Sequence, residues 1–245
     1  MRKRVISWLL TVVMVVSLLP TSVLADTLAA DQEQQTQQEQ IAPVDTENTV
    51  LAEDEETQEQ QEPAAQPLPE KWVCLTFDDG PSKTTPDVLS ALNAAGVHAT
   101  FFVVATGYNE KYLPLLTEAV SAGHQIALHS ASHEYSDIYR SSDAYWEDIA
   151  LLKERIAPYV DAESIRYLRF PGGSTNTVSR RYGGKGLMKQ LKAEVEQKGW
   201  QWVDWNVCAE DAVGGHPSAD TIYRNVVRET GQQTNCIVLM HDSAT

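Results

Sequence analysis

Long apolar runs are scarce in this chain, and none reaches the roughly 20 residues that span a bilayer. The nearest, Val5 to Leu19, follows a basic tip (Arg2, Lys3, Arg4) and precedes Val23 and Ala25 at the spacing of a signal-peptidase site. Residues 1–25 therefore read as a secretory signal, with an uncleaved N-terminal anchor as the alternative. Either way the remainder is expected outside the cytoplasm, secreted or associated with the cell envelope. Basic and aromatic residues are both missing from 26–70, which holds 13 acidic side chains. Such a stretch cannot bury enough apolar surface to offset the entropy of ordering it, so a disordered acidic Gln/Glu-rich spacer is predicted. Cysteine is scarce as well: Cys74, Cys208 and Cys236. An odd count in an exported chain makes no disulfide framework, and no spacing suits a Cys-based zinc site. A bridge between two of the three stays open. The formal net charge is −15, but the spacer carries most of it and residues 71–245 retain only −5. That part has no basic patch, which excludes nucleic acid as a partner.

Residues 71–245 are long enough for one sizeable core. Strands are predicted at Trp72–Phe77, Ala99–Val104, Gln125–Leu128, Tyr167–Phe170, Trp200–Val207 and Cys236–Met240. Helices are predicted between them at Pro86–Ala95, Asn109–Ala122, Ser142–Tyr159, Gly186–Lys198 and Ala219–Glu229. Pro86 suits a first helical turn, and Gly96, Gly123, Gly199 and Gly231 suit helix ends. Tyr145, Ile149, Leu152 and Ile156 recur at helical spacing. Strict alternation of strand and helix argues an α/β fold with a parallel sheet, barrel or open.

Polar clusters fall where these strands end. Asp78–Asp79 follows the first strand and His129 the third; Arg169 ends the fourth, Asp211 lies after the fifth, and His241 follows the sixth. In parallel α/β folds the C-terminal strand ends share one face, and active sites are built there. Alternation forbids two adjacent carboxylates from entering one pocket, unless the Gly80–Pro81 turn bends the chain. One carboxylate could then bind a metal while the other takes a proton from water. His129 and His133, four apart, would face the same way if they begin a helical turn. With Asp79 they make a two-His, one-carboxylate set that leaves coordination positions open. Zinc fits such a set, as do Co, Ni, Mn or Fe. Arg169 could hold a carboxylate ionised, and the glycines of Arg169-Phe170-Pro171-Gly172-Gly173-Ser174 would let backbone N–H groups approach a ligand. A histidine closing an apolar strand is a candidate general acid when a carboxylate orients it.

These five clusters, in this order, resemble the five motifs of the polysaccharide deacetylases of carbohydrate esterase family 4, the NodB homology domain. TFDDGPS, GHQIALHSASH and RFPGGS carry the resemblance, which covers residues 71–242. It implies a distorted (β/α) barrel. It implies Asp78 as general base, Asp79, His129 and His133 as metal ligands, and Arg169 paired with Asp78. The Gly172 N–H would help bind the oxyanion, His241 would be the general acid with Asp211 setting its charge, and Leu239 would contact the acetyl methyl. The family's fourth motif often reads Asp-x-x-Asp-Trp, whereas this chain has Cys208-Ala209-Glu210-Asp211-Ala212. Asp204 and Glu210 are therefore rivals of Asp211. Family members usually continue into another helix and strand after the fifth motif. Either the barrel is incomplete or the chain lacks its C-terminus.

The expected activity is metal-dependent removal of acetyl groups from a cell-envelope polysaccharide, foremost the N-acetylglucosamine of peptidoglycan. Chitin oligomers, acetylated xylan and a non-catalytic wall-binding module are the alternatives. Trp205, with Trp200 and Trp202, could stack on sugar faces, although strand alternation makes at least one of them core. A monomer is expected, touching a membrane only through an uncleaved signal.

Overall fold

The computed structural model describes residues 71–214 and 216–242. The leader over 1–25 and the spacer over 26–70 lie outside the described residues. Seven strands form one sheet: β1 (Trp72–Asp78), β2 (Thr100–Val104), β3 (Gln125–Ser130), β4 (Tyr167–Leu168), β5 (Gln201–Trp202), β6 (Val207–Cys208) and β7 (Asn235–His241). Their order is β5-β4-β3-β2-β1-β7-β6, and every pairing is parallel. The helices are α1 (Thr85–Ala95), α2 (Leu115–Ser121), α3 (Tyr135–Ile138), α4 (Ser142–Ile156), α5 (Val178–Gly183), α6 (Leu187–Gln197) and α7 (Ala219–Thr230). None among the described residues is long and apolar enough to cross a membrane.

The sheet curls, and chain connectivity requires it. Seven strands laid flat at about 4.8 Å spacing would put the two edges roughly 29 Å apart. Trp202 of edge strand β5 and Val207 of edge strand β6 are five residues apart, a reach of at most about 18 Å. The edges must therefore approach each other, as in the distorted (β/α) barrel expected from the sequence. This also corrects one expectation: Trp200–Val207 is not a single strand. Val203 to Asn206 instead crosses the gap between the edges, and Arg169 holds it there, its Nε donating to the Val203 carbonyl at 2.9 Å.

The predicted helix over Asn109–Ala122 is likewise broken. A short 3₁₀ turn (Glu110–Tyr112) precedes α2, because Pro114 has no N–H with which to continue a helical ladder. The short helices α3 and α5 lie in segments with no helical periodicity long enough to reveal them. One large core joins Leu89, Phe101, Leu128, Ile149, Leu152, Leu168 and Leu191, with helices packed on the sheet. Buried at this level, each such side chain stabilises by about 1.5–3 kcal/mol. A smaller cluster of Val207, Cys236 and Val238 lies at the β6–β7 edge. All three cysteines are free. Cys74 stands opposite Ile237 and Cys236 opposite Val73, so the two thiols point to opposite faces of the sheet and do not bridge.

Candidate active site

Strand register places the first pair of site residues. Asp78 and His241 are direct partners across β1 and β7, so both side chains rise from the same face. Thr76 and Leu239 are partners two residues earlier, which puts Leu239 beneath His241 on that face. Asp78 is buried, and its Oδ1 accepts from Arg169 Nη1 at 2.7 Å. Arg169 is itself 0% exposed. Its remaining donors meet Thr76 Oγ1 at 2.9 Å and the Val203 and Asp204 carbonyls. Its guanidinium lies 4.0 Å from the Phe102 ring centroid, a cation–π contact. Burial nonetheless pushes the Asp78 carboxyl up to about 6, with Arg169 opposing. The group is thus ionised at neutral pH but still basic enough to accept a proton.

Asp79 solves the alternation problem by leaving the strand. Its φ is +68°, a left-handed conformation that Asp tolerates better than most residues. The carboxylate thereby swings towards β3. Asp79 Oδ1 stands 3.5 Å from His129 Nε2 and 3.4 Å from His133 Nε2. The two histidines do not share a helical turn, contrary to expectation. His129 is the fifth residue of β3, and His133 follows a tight loop with φ +56° before α3 begins. That loop is held by Asp148 of α4. Asp148 Oδ2 accepts from Ser130 Oγ (2.7 Å) and the Ala131 N–H (2.8 Å). Its Oδ1 accepts from the Ser132 N–H (3.0 Å) and Oγ (2.8 Å).

The donor set fits a cation. His129 Nδ1 donates to the Arg169 carbonyl at 2.7 Å, since a carbonyl can only accept. In the neutral ring the Nε2 lone pair then faces Asp79. Burial drives the His129 imidazole down to about 4, so the ring stays neutral. Asp79 Oδ1 is buried without any hydrogen-bond partner. The His129 Nε2 lone pair therefore faces an unpartnered carboxylate oxygen, an arrangement that is repulsive unless a positive charge enters. The three ligand atoms lie within 4.8 Å of one another. Two ligands bound at about 2.1 Å in tetrahedral geometry stand roughly 3.4 Å apart, which the two Asp79–His separations match.

His241 faces this cluster across Asp78. Its Nδ1 donates to Asp211 Oδ1 at 2.9 Å, and its backbone N–H donates to Asp211 Oδ2 at 2.6 Å. Burial alone would lower the His241 pKa, but the Asp211 hydrogen bond and charge, aided by Asp79 and Asp78, outweigh it and raise it. The rivals of Asp211 are engaged elsewhere. Glu210 accepts from Asn225. Asp204 accepts from the Ser174 N–H (2.8 Å) and Oγ (2.6 Å), which fastens the Arg169–Ser174 loop. Within that loop Gly172 has φ +77° and is exposed. A Cβ there would stand 3.3 Å from the Tyr135 hydroxyl. Trp205 lies over Arg169 at 5.5 Å and against Gly173. Trp200 packs on Trp146 and Trp202 on Phe170, both against the main core.

Four contributors escaped the sequence reading. Asp148 was visible in one respect, as an acid on the buried stripe of α4 beside Tyr145 and Ile149. Asp242, wholly buried, accepts from Thr85 Oγ1 (2.6 Å), Thr84 Oγ1 (3.2 Å) and Ser82 Oγ (3.3 Å), tying the turn after β1 to the end of β7. Asn109 donates to the Pro81 and Val104 carbonyls, fixing the loop after β2. Beside it a cavity of about 330 Å³, walled by Asp79, His133, Lys83, Tyr108 and Asn109, opens from the Asp79 cluster. Tyr135 is the fourth, its ring 5.5 Å from that of His133.

A parallel barrel carrying an Asp/His/His cluster, a buried Asp–Arg pair and a His–Asp pair at its C-terminal strand ends has the design of a metal-assisted hydrolase. The polysaccharide deacetylase family model matches residues 65–191. The chain belongs to the polysaccharide deacetylase family. It is 30% identical over 173 residues to a peptidoglycan-N-acetylglucosamine deacetylase of Bacillus cereus, covering 69% of this chain and 58% of that protein. It is 31% identical to a chitooligosaccharide deacetylase of a Bradyrhizobium strain, covering 69% and 70% respectively. Among solved structures it superposes on the catalytic domain of a peptidoglycan N-acetylglucosamine deacetylase from Eubacterium rectale. That match has a TM-score of 0.67 and 38% identity, and covers 70% of this chain and 76% of that one. Asp211, Leu239 and His241 fall beyond the residues matched by the family model.

Proposed function

We propose that this protein hydrolyses the acetamide of N-acetylglucosamine in peptidoglycan, releasing acetate and leaving a free amine on the sugar. The observation that carries this reading is the placement of Asp78 between two groups: the converging Asp79–His129–His133 lone pairs and the Asp211-held His241. A divalent ion held by Asp79, His129 and His133, zinc or another metal such as Co, Ni, Mn or Fe, would polarise the acetyl carbonyl and acidify water. Asp78, raised to about 6, accepts the proton of the attacking water while Arg169 stabilises the carboxylate that precedes transfer. The N–H of exposed Gly172 would donate to the oxyanion. His241 then delivers a proton from Nε2 to the leaving nitrogen, with Nδ1 and its charge held by Asp211. Leu239 offers the acetyl methyl an apolar wall, and Trp205 screens the Asp78–Arg169 pair from solvent.

Peptidoglycan as substrate is supported by the names of the relatives and by the sequence of residues 1–70, read above as an export signal and an acidic spacer, which suit work in the cell envelope. The cavity beside Tyr108 gives neighbouring sugars room and an aromatic face. Acetate release should be measured on peptidoglycan, chito-oligosaccharides and acetylxylan, with and without added divalent metal. Release that is fastest on peptidoglycan and abolished by chelation is expected. No release from any of the three would leave the wall-binding reading in its place.

A further inference from the structure

We propose that the Tyr135 hydroxyl is a second donor to the oxyanion, working with the Gly172 N–H. This rests on the deacetylase reading of the site. Tyr135 comes from α3, two residues beyond His133, while Gly172 comes from the loop after β4. The Tyr135 hydroxyl stands 3.3 Å from the point where a Cβ on Gly172 would sit. A residue's Cβ and N are about 2.5 Å apart, so hydroxyl and N–H are separated by no more than about 6 Å. Two donors at or inside that separation can share one oxygen at about 3 Å from each. The glycine is what leaves the space between them open.

The phenol is held in place rather than left to swing. Its ring stacks on Tyr139 at 6.0 Å and 11°, and Tyr139 stacks on Tyr145 at 6.3 Å and 3°. The Tyr139 hydroxyl donates to the Pro171 carbonyl at 2.7 Å. The residue that caps the helix carrying Tyr135 is therefore bonded to the residue just before Gly172, which ties the two donors to each other. By contrast, the Tyr135 hydroxyl makes no hydrogen bond among the described residues. On the other side its ring lies 5.5 Å from that of His133, so the free donor sits between the metal-type cluster and the glycine loop. Donors fixed in advance where charge develops are the most effective kind, because nothing must reorganise as the reaction proceeds.

Tyr135→Phe is the test, since it removes the hydroxyl and keeps the stack on Tyr139. With chitotetraose as probe, kcat should fall about 10- to 100-fold and KM change less than about twofold, the pattern of an interaction made only in the transition state. Zinc affinity, read by competition with a chromogenic chelator, should match that of the parent protein, which separates this role from support of His133. Full kcat in the variant overturns the proposal. So does a loss confined to KM, which would make the hydroxyl a ground-state sugar contact, and so does a matching loss of zinc affinity. Absence of acetate release by the parent protein from peptidoglycan, chito-oligosaccharides and acetylxylan alike would instead overturn the deacetylase reading itself, and this inference with it; if the parent acts on peptidoglycan alone, the same comparison is made on that polymer.

Discussion

Asp148→Asn changes one atom of a residue that touches neither the cluster nor the cavity, yet it should damage the proposed metal site. Each Asp148 oxygen accepts one main-chain N–H and one serine hydroxyl. An asparagine has a single acceptor oxygen, so its NH₂ must face either the Ala131 or the Ser132 N–H. Serine hydroxyls can rotate to accept; a backbone N–H cannot. One buried main-chain donor is thus orphaned, at about 1–3 kcal/mol. The surviving bonds lose their charge assistance, worth about 1 kcal/mol more, while relief of carboxylate burial returns part of it. The net expectation is a loss of about 2–3 kcal/mol, read as a lowered urea midpoint in the metal-free protein. Ser130 Oγ, which donates to Asp148, also accepts the His133 N–H at 2.8 Å, so the disturbance reaches a proposed ligand directly. Zinc affinity should fall about 10- to 100-fold in a chelator-competition titration, the usual range for groups that orient ligands. An unmoved urea midpoint together with unchanged zinc affinity would refute the reasoning.

Asp211→Asn should move the alkaline limb of kcat/KM to lower pH, because the hydrogen bond and charge that raise the His241 pKa are lost; a limb that stays put refutes Asp211 as the partner. The same pair contributes stability with a defined window. A raised histidine stabilises below about pH 6.5 and a lowered aspartate above about pH 4, and both gains are present only between. Asp211→Asn should therefore destabilise more at pH 5.5 than at pH 9 in urea titrations at the two pH values. Asp78→Asn should cut kcat by about 10²- to 10⁴-fold with zinc still bound, if Asp78 is the general base proposed above; acetate assays and metal analysis check both halves. Gly80→Ala should destabilise by at least about 1–3 kcal/mol, since its Cβ would lie 2.5 Å from Asp242 Oδ2 and 3.1 Å from Asp242 Cβ, with no room to move in a wholly buried site. Thermal melts decide that case.

What the sequence discloses and what it hides divide along one physical line. Strand–helix alternation and the polar residues at strand ends were readable because both follow local periodicity and the shared face of parallel strands. The register that sets His241 beside Asp78 continues the same logic. Trp200–Val207 misled because apolar content alone cannot distinguish one strand from two edge residues and a crossing. The crossing is dictated by curling of the whole sheet, which no local window contains. The roles of the supporting carboxylates are hidden for a related reason. Asp148, Asp204 and Asp242 each accept two or more hydrogen bonds from a loop that follows a distant strand: the Ser130–Ser132 segment, Ser174, and the Ser82–Thr85 turn. An aspartate is ordinarily a surface residue, and nothing in its own neighbourhood names the loop it will hold. Only Asp148, lodged on an apolar helical stripe, carried a trace of its burial. The three loops have little apolar content of their own, so core packing cannot fix their shape. Buried or half-buried carboxylates do it instead, and an anion will not stay withdrawn from water unless the serines, threonines and main-chain N–H groups of the loop converge on it. The loop chemistry and the clamp therefore depend on each other: the Ser and Thr residues flanking Asp79, His133 and Gly172 are needed to solvate the carboxylates that hold those three residues in place.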